Sequence, residues 1–168
     1  MSITMSQVAV PTFVRGLTGL KGVLAKAKAH AEAKGIDPNA LLQARLYPDM
    51  FALPRQVQIC ADFAKGAVAR LAGAEVPSWE DNETTFDELI ARVDRNIAFV
   101  QGIDASAIDG SEDRDTTLVR RGESTVHKGQ AYLIDQAIPN FYFHLTTAYA
   151  ILRHNGVEIG KKDYLAMT

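Results

Sequence analysis

The sequence predicts an all-α protein, a bundle of four long helices with a small β-hairpin before the last of them. Four segments carry apolar residues at intervals of three and four, which is the spacing of one buried helix face. Proline or glycine stands near the ends of these segments, as is typical of helix starts and stops. One polar stretch before the last segment instead contains the short β-prone runs of a hairpin.

The composition fits a single domain spanning residues 1–168, with 47% hydrophobic residues and 6 prolines. Eighteen basic and 20 acidic side chains give a net charge of −2, so no summed positive field would attract nucleic acid or anionic lipid. The N-terminal stretch lacks a basic region followed by an apolar core, which argues against a secretory signal. We therefore expect a cytoplasmic protein that binds neither nucleic acid nor a membrane.

The first long helix is predicted between Gln7 and Lys34, with Gly35 at its end. Pro11 is tolerated only in the first turn of a helix, because proline lacks an N–H and its ring clashes with the preceding turn. We therefore place the start of this helix near Val8 to Val10. Its apolar stripe is Val10, Phe13, Leu17, Leu20, Leu24, Ala27 and Ala31.

A short connecting helix and the second long helix follow. Asp37 is a suitable cap and Pro38 a suitable first residue for the short helix. Because proline is tolerated only in the first turn of a helix, the second long helix must begin close to Pro54. Gly73 marks its end. Its stripe is Leu53, Val57, Cys60, Ala64, Val68 and Leu71. Because Cys60, the single cysteine, lies in this stripe, we expect a buried and unreactive thiol.

The third long helix is predicted within the segment that begins at Ser78 and ends at Gly102, where early acidic residues suit a helix N-terminus. Its stripe is Phe86, Leu89, Val93, Ile97 and Val100.

After the third helix the sequence becomes polar, and the runs TTLV and STVH flank RRGE. This predicts a hairpin with Gly122 in its turn.

The last long helix is predicted to start at Pro139 and to end at Gly156. Its stripe is Phe141, Leu145, Ala148 and Leu152. Four long amphipathic helices, with a hairpin before the last, are typical of a helix bundle.

Helical geometry places a few polar residues near the buried faces. At 100° per residue, His144 lies at the edge of the stripe of the last helix, and Asn140 lies one turn before it. Gln56 lies within about 60° of the stripe centre on the second helix. Asp49 would join Gln56 if that helix reached back so far. These four residues are predicted to form a polar cluster inside one end of the bundle.

This cluster allows more than one role for His144. Bundles build metal sites from inward side chains on facing helices, and an imidazole that titrates near neutrality suits a general base. The simpler interpretation is a core histidine that hydrogen-bonds to Asn140 or to nearby backbone groups, because buried polar groups must be satisfied. Only one histidine is available here, whereas transition-metal sites usually show several histidine or carboxylate ligands, which favours the simpler interpretation.

Two long strings carry a resemblance to a known family: ARLYPDMFALPRQVQICADFAKGAVARLAG and PNFYFHLTTAYAILRHNGVEIGKKDYL. They resemble a bacterial family of uncharacterised proteins in the DinB/YfiT-like superfamily, a domain of unknown function. The resemblance extends over nearly the whole chain. It implies an up-and-down four-helix bundle and a homodimer.

The resemblance also implies where a metal would bind. The better-known members of the superfamily are metal-dependent enzymes, including thiol-dependent transferases and isomerases. They generally bind a divalent metal through a histidine on the second helix and a His-x-x-x-His pair on the last. By position, that pair is Asn140 and His144 here, and the second-helix ligand lies near Asp49 or Gln56. Because amide oxygens are weak neutral ligands, we expect a degenerate metal site in which only His144 keeps the ligand type.

Three functional hypotheses follow. The first is a DinB-like bundle without a cofactor, whose pocket between the helices binds a small molecule. The second is an enzyme that depends on a divalent metal such as zinc, nickel or manganese, a thiol-dependent transferase or hydrolase with His144 as ligand or base. The third is a stress-related interaction module without its own chemistry. The metal content of the protein separates the second hypothesis from the other two.

Overall fold

The computed structural model describes residues 2–120 and 122–167. In chain order the elements are α1 (Met5–Lys34), α2 (Pro38–Leu42), α3 (Leu53–Leu71), α4 (Phe86–Gly102), α5 (Ala105–Ile108), β1 (Asp115–Arg120), β2 (Glu123–Lys128), α6 (Gly129–Ala131), a π-helical turn (Tyr132–Ala137), α7 (Ile138–His154) and α8 (Lys161–Tyr164). The strands pair antiparallel, with Leu118 opposite Thr125. The predicted helical bundle with a hairpin before its last long helix is confirmed.

The apolar stripes of the four long helices meet in one core. α1 packs against α4 and α7, and α3 packs against the same two helices. Gly16 allows α1 and α7 to approach closely, because a Cβ atom at this position would collide with the ring of Phe141. The fully buried residues of this core include Phe13, Leu17, Leu20, Val57, Cys60, Leu89, Phe141 and Leu152.

The directions of the helices follow from the contacts at one end of the bundle. Arg114 donates to the carbonyl oxygens of Leu71, at the end of α3, and of Ala107, just after α4. Asp109 accepts from the backbone N–H of Ser6, at the start of α1, at 2.8 Å. The π-helical turn before α7 packs against α3. α3 and α4 therefore both end where α1 and α7 begin, a departure from the strict alternation of an up-and-down bundle.

The 72–85 segment, called the crossover below, makes this departure possible by returning along the bundle from the end of α3 to the start of α4. Arg92 of α4 holds it, because its Nη1 lies 2.9 Å from Glu83 and its Nη2 lies 2.7 Å from Asp81. Nη2 also lies 3.1 Å from Asp62 of α3. The Arg92 side chain is 2% exposed, so one buried guanidinium joins the crossover to both helices.

Trp79 anchors the middle of the crossover between two cations. The ring centroid lies 4.4 Å from Nζ of Lys65 on α3 and 3.9 Å from Cζ of Arg95 on α4. Each such contact stabilises by about 0.5 to 2 kcal/mol, depending on burial. Phe99 meets the ring edge at a centroid distance of 6.1 Å.

The predicted start of the first helix near Val8 to Val10 is wrong, because α1 begins at Met5. Thr4 and Gln7 form a capping box: the Thr4 side chain accepts from the Gln7 N–H, and Gln7 Oε1 accepts from the Thr4 N–H at 3.1 Å. Pro11 therefore lies inside the helix. The reciprocal hydrogen bonds set the start, and the helix tolerates the proline nearly two turns later.

The predicted start of the last helix at Pro139 also needs correction. Helical backbone begins at Gly129 and continues through the π-helical turn into α7. In a regular α-helix the ring of Pro139 would clash with the carbonyl group one turn earlier. The wider π-helical turn directly before it accommodates the proline without ending the helix.

α1 is long and apolar enough to pass a length and composition test for a membrane-spanning helix. Its leucines at Leu17, Leu20 and Leu24 are fully buried inside the protein. A helix that packs one face into a bundle can have the same composition, since the stripe that enters the core is apolar. Packing against α4 and α7 thus accounts for the apolar character of α1 in a soluble bundle.

Replacing Arg92 with methionine should destabilise the protein, because Asp62, Asp81 and Glu83 would keep their charges beside an apolar side chain. Removal of one partner from a buried ion pair costs about 3 to 5 kcal/mol. Asp62 and Asp81 are 41% and 35% exposed, so we expect the lower end, about 3 kcal/mol. The free energy of unfolding can be measured by urea denaturation.

Lys21→Met is the matched control for this prediction. The pair between Lys21 and Asp94 is exposed on both sides, at 44% and 48%, and such pairs contribute about 0.5 kcal/mol. If Arg92→Met and Lys21→Met lower the free energy of unfolding by the same amount, the crossover does not depend on Arg92.

Candidate functional site

Gln56 and His144 meet between α3 and α7. Oε1 of Gln56 lies 2.8 Å from Nδ1 of His144. Gln56 is 2% exposed, and His144 is half-buried. The same two antiparallel helices are also joined deeper in the core, where the Cys60 thiol donates to the carbonyl oxygen of Phe141 at 3.6 Å. The position of His144 is thus set by the packing of α7 on α3.

The Gln56 amide determines which nitrogen of His144 carries the hydrogen. Its Nε2 donates to the carbonyl oxygen of Phe51 at 3.1 Å, and a carbonyl oxygen can only accept. The amide oxygen therefore faces His144, so Nδ1 of the histidine carries the hydrogen and donates it. Within residues 2–120 and 122–167, Nε2 of His144 has no hydrogen-bond partner, and it is not a fully enclosed atom. This nitrogen keeps a lone pair that a ligand can reach.

The surroundings of His144 favour its neutral form. Burial lowers the pKa of His144 below its ordinary value of 6.5, and the positive charge of Arg55 lowers it further. Phe63 stacks on the imidazole with a centroid distance of 6.0 Å and an interplanar angle of 16°. Phe143 meets the ring edge-on at 5.2 Å. At neutral pH the side chain is therefore an uncharged hydrogen-bond acceptor between aromatic rings.

Among the described residues, no hydrogen bond joins the other two residues of the predicted cluster to this pair. Asn140 is half-buried, and its Nδ2 donates to the carbonyl oxygen of Gln136 one turn earlier at 2.7 Å. Asp49 is exposed and lies in the segment before α3, so it does not share the helix face of Gln56. The structure thus brings together Gln56 and His144 rather than all four residues.

The residues present do not fit the divalent metal that the family resemblance implies. A zinc or nickel site needs several histidine, cysteine or carboxylate ligands around one point. In the part of the chain that the structure describes, no group of three or more such side chains is placed to hold a metal ion. Oε1 of Gln56 already accepts the hydrogen of Nδ1. Among the described residues, Nε2 of His144 is therefore the one strong metal-ligating atom at this position.

A cavity of about 190 Å³ lies further along α3, where β1 and the π-helical turn cover the helix. We call it the Arg70 cavity, and its walls include Asp62, Phe63, Arg70, Leu118, Val119 and Tyr132. Phe63 contacts both this cavity and His144. Sequence analysis could not predict this cavity, because its walls come from three separate segments without a recognisable motif.

The architecture defines a class of helical bundle that carries a hairpin before its last long helix and a histidine on that helix. It is similar to the crystal structure of a DinB family member protein from Shewanella denitrificans, with a TM-score of 0.88 and 41% sequence identity over 97% of this chain and 92% of that chain. The chain belongs to the family described as domain of unknown function (DUF1993), whose model matches residues 5–165. A comparison with curated proteins finds no match. The family resemblance seen in the sequence is confirmed.

The Cys60 thiol should resist labelling in the folded protein. The side chain is fully buried, and burial raises the pKa of the thiol well above its ordinary value, so almost no reactive thiolate is present. A thiol reagent such as dithionitrobenzoate should react slowly in buffer and quickly in concentrated urea. Rapid reaction of the folded protein would show that this face of α3 is open to solvent.

The stability of the protein should decrease as His144 is protonated. Its folded pKa lies below the ordinary 6.5, so the unfolded chain takes up the proton first as the pH falls. The contribution to stability is therefore complete above about pH 6.5, decreases between 6.5 and the lowered pKa, and stays constant below it. Urea denaturation should show this loss in the wild type and not in His144→Gln.

Nuclear magnetic resonance tests the same assignment directly. The ¹⁵N signals of His144 should show Nδ1 protonated and Nε2 unprotonated at neutral pH, with a titration midpoint below 6.5. In Gln56→Met the preference for this tautomer should be lost, because the acceptor of the Nδ1 hydrogen is removed. A midpoint above 6.5 would contradict the assigned environment.

Proposed function

We propose that this protein is a metal-independent DinB-like bundle that binds a small molecule at His144, where Nε2 accepts a hydrogen bond from the ligand. The observation that carries this proposal is the hydrogen-bond chain from His144 through Gln56 to the carbonyl oxygen of Phe51. A fully buried structural histidine would have both nitrogens satisfied within the core, whereas His144 is half-buried and its Nε2 has no hydrogen-bond partner among the described residues. Here the chain fixes the ring and the tautomer while Nε2 stays accessible.

The surroundings of Nε2 define the chemistry of the ligand. Phe63 and Phe143 form an aromatic rim around His144, and Phe51 adjoins its partner Gln56, whose amide donates to the Phe51 carbonyl oxygen. Phe51 and Phe143 are 55% and 59% exposed, so they offer apolar surface to a bound molecule. Arg55 lies over the Phe51 ring at 5.9 Å and disfavours a cation. The favoured ligand is a neutral molecule with a hydroxyl or N–H donor next to an aromatic or apolar group.

Phenol is a suitable first probe, because its hydroxyl can donate to Nε2 while its ring contacts the aromatic rim. Added to ¹⁵N-labelled protein, it should shift the Nε2 signal of His144 and the signals of Phe63 and Phe143. His144→Ala should abolish binding at the rim. His154→Ala is the matched control, since this histidine is exposed in the last turn of α7. No response of His144 to millimolar phenol would contradict the proposal.

Elemental analysis tests the metal-independent part of the proposal. Protein purified without a histidine tag or chelator should contain far less than one zinc, nickel or manganese ion per subunit, because one imidazole alone holds such ions weakly. About one ion per subunit that is lost in His144→Ala would overturn the proposal. A metal-dependent transferase or hydrolase would then be the better hypothesis.

A further inference from the structure

Arg70 is held in a defined position at the wall of the Arg70 cavity. Its Nη1 donates to the hydroxyl of Tyr132, the first residue of the π-helical turn, at 3.2 Å. On the other side the guanidinium lies over Gly66, where a Cβ atom would collide with Nη1. The glycine therefore provides the space and Tyr132 the orientation. Because a tyrosine hydroxyl occupies only one of its five N–H donors, the guanidinium can still bind a ligand.

The charge of Arg70 is not compensated by a neighbour. Among the residues that the structure describes, no carboxylate forms an ion pair with it. Asp62 also lines the cavity, but its Oδ1 lies 2.9 Å from Lys65 and 3.1 Å from Arg92. That neighbouring network balances three cations, Arg55, Lys65 and Arg92, with three carboxylates, Asp62, Asp81 and Glu83. Among the described wall residues, Arg70 is thus the one whose positive charge has no carboxylate partner.

Besides Arg70 and Asp62, the walls of the cavity are formed by aliphatic and aromatic residues. Leu118 of β1 is buried at 7% exposure, and its neighbour Val119 stands at the rim at 68%. Phe63 contributes an aromatic face. The volume of about 190 Å³ corresponds to roughly six water molecules at about 30 Å³ each, so the occupant is smaller than most drug-like ligands.

We infer that the Arg70 cavity is a binding site for a small carboxylic acid with an apolar body, separate from the site at His144. The carboxylate accepts hydrogen bonds from the free N–H groups of Arg70, because its two oxygens match the spacing of two guanidinium N–H groups. The apolar body packs against Phe63 and Leu118. A phosphate group fits less well, because a second negative charge finds no second cation among the described wall residues and no apolar part fills the remaining volume.

Benzoate is the probe for this inference, and benzamide is its neutral control of the same shape. In a titration followed by nuclear magnetic resonance, benzoate should shift the amide signals of Arg70, Leu118 and Tyr132. Arg70→Gln should weaken benzoate binding at least tenfold and leave the weaker binding of benzamide unchanged. The exposed Arg153 at the end of α7 supplies the matched control Arg153→Gln. Unchanged benzoate affinity in Arg70→Gln would overturn the inference.

Gly66→Ala tests the position of the guanidinium without changing the charge. Alanine favours a helix more than glycine does, so the variant should fold, which circular dichroism can verify. The added methyl group should displace Arg70 from its place beside Tyr132 and weaken benzoate binding several-fold. Wild-type affinity in this variant would show that the arrangement of Gly66, Arg70 and Tyr132 does not form the site.

The two sites can be tested independently. His144→Ala should still bind benzoate with wild-type affinity, and Arg70→Gln should still show the phenol response of His144. Failure of the phenol response alone would contradict the proposed function and leave the carboxylate site standing. Loss of both ligands in both variants would overturn the inference of a separate site, because it would indicate one continuous binding surface.

Discussion

The buried guanidinium of Arg92 is the interaction on which the arrangement of the helices depends. It binds carboxylates of the crossover and of α3 from its place on α4. The crossover is thereby held along the bundle, and α3 and α4 run in the same direction. As a result α7 packs antiparallel on α3, which brings His144 opposite Gln56. An ion pair of this kind contributes more to specifying one arrangement than to net stability, since desolvation offsets much of its attraction.

One face of α3 carries the groups on which both proposed binding sites depend. Gln56, Phe63 and Arg70 are spaced seven residues apart, which is about two helical turns, so they point to the same side. The apolar stripe through Val57 and Cys60 turns towards the core instead. Gln56 orients His144, and Arg70 places a positive charge at the wall of the cavity under β1. Phe63 contacts both His144 and this cavity. A rigid helix thus displays two different polar groups about 20 Å apart along its length.

The long helices could be predicted because each needs a continuous apolar stripe to enter the core, and Leu17, Val57 and Leu89 are indeed fully buried. Predicted helix starts that relied on proline were less accurate. A capping box about two turns before Pro11 set the start of the first helix, and a π-helical turn before Pro139 accommodated the proline ring. Both cases show that a proline restricts the local backbone without deciding where a longer helix begins.

The sequence by itself determined the fold class, the membership of the family and the phase of Gln56 and His144 on their helices, because these depend on periodic patterns within single segments. Only the tertiary structure decided that the Gln56 amide orients the imidazole, that Asp49 stays outside the site, and that Arg70 lies beside Tyr132. These contacts join residues up to 88 positions apart. Their geometry depends on how the helices pack, and helix packing cannot be predicted from the pattern of residues within a single segment.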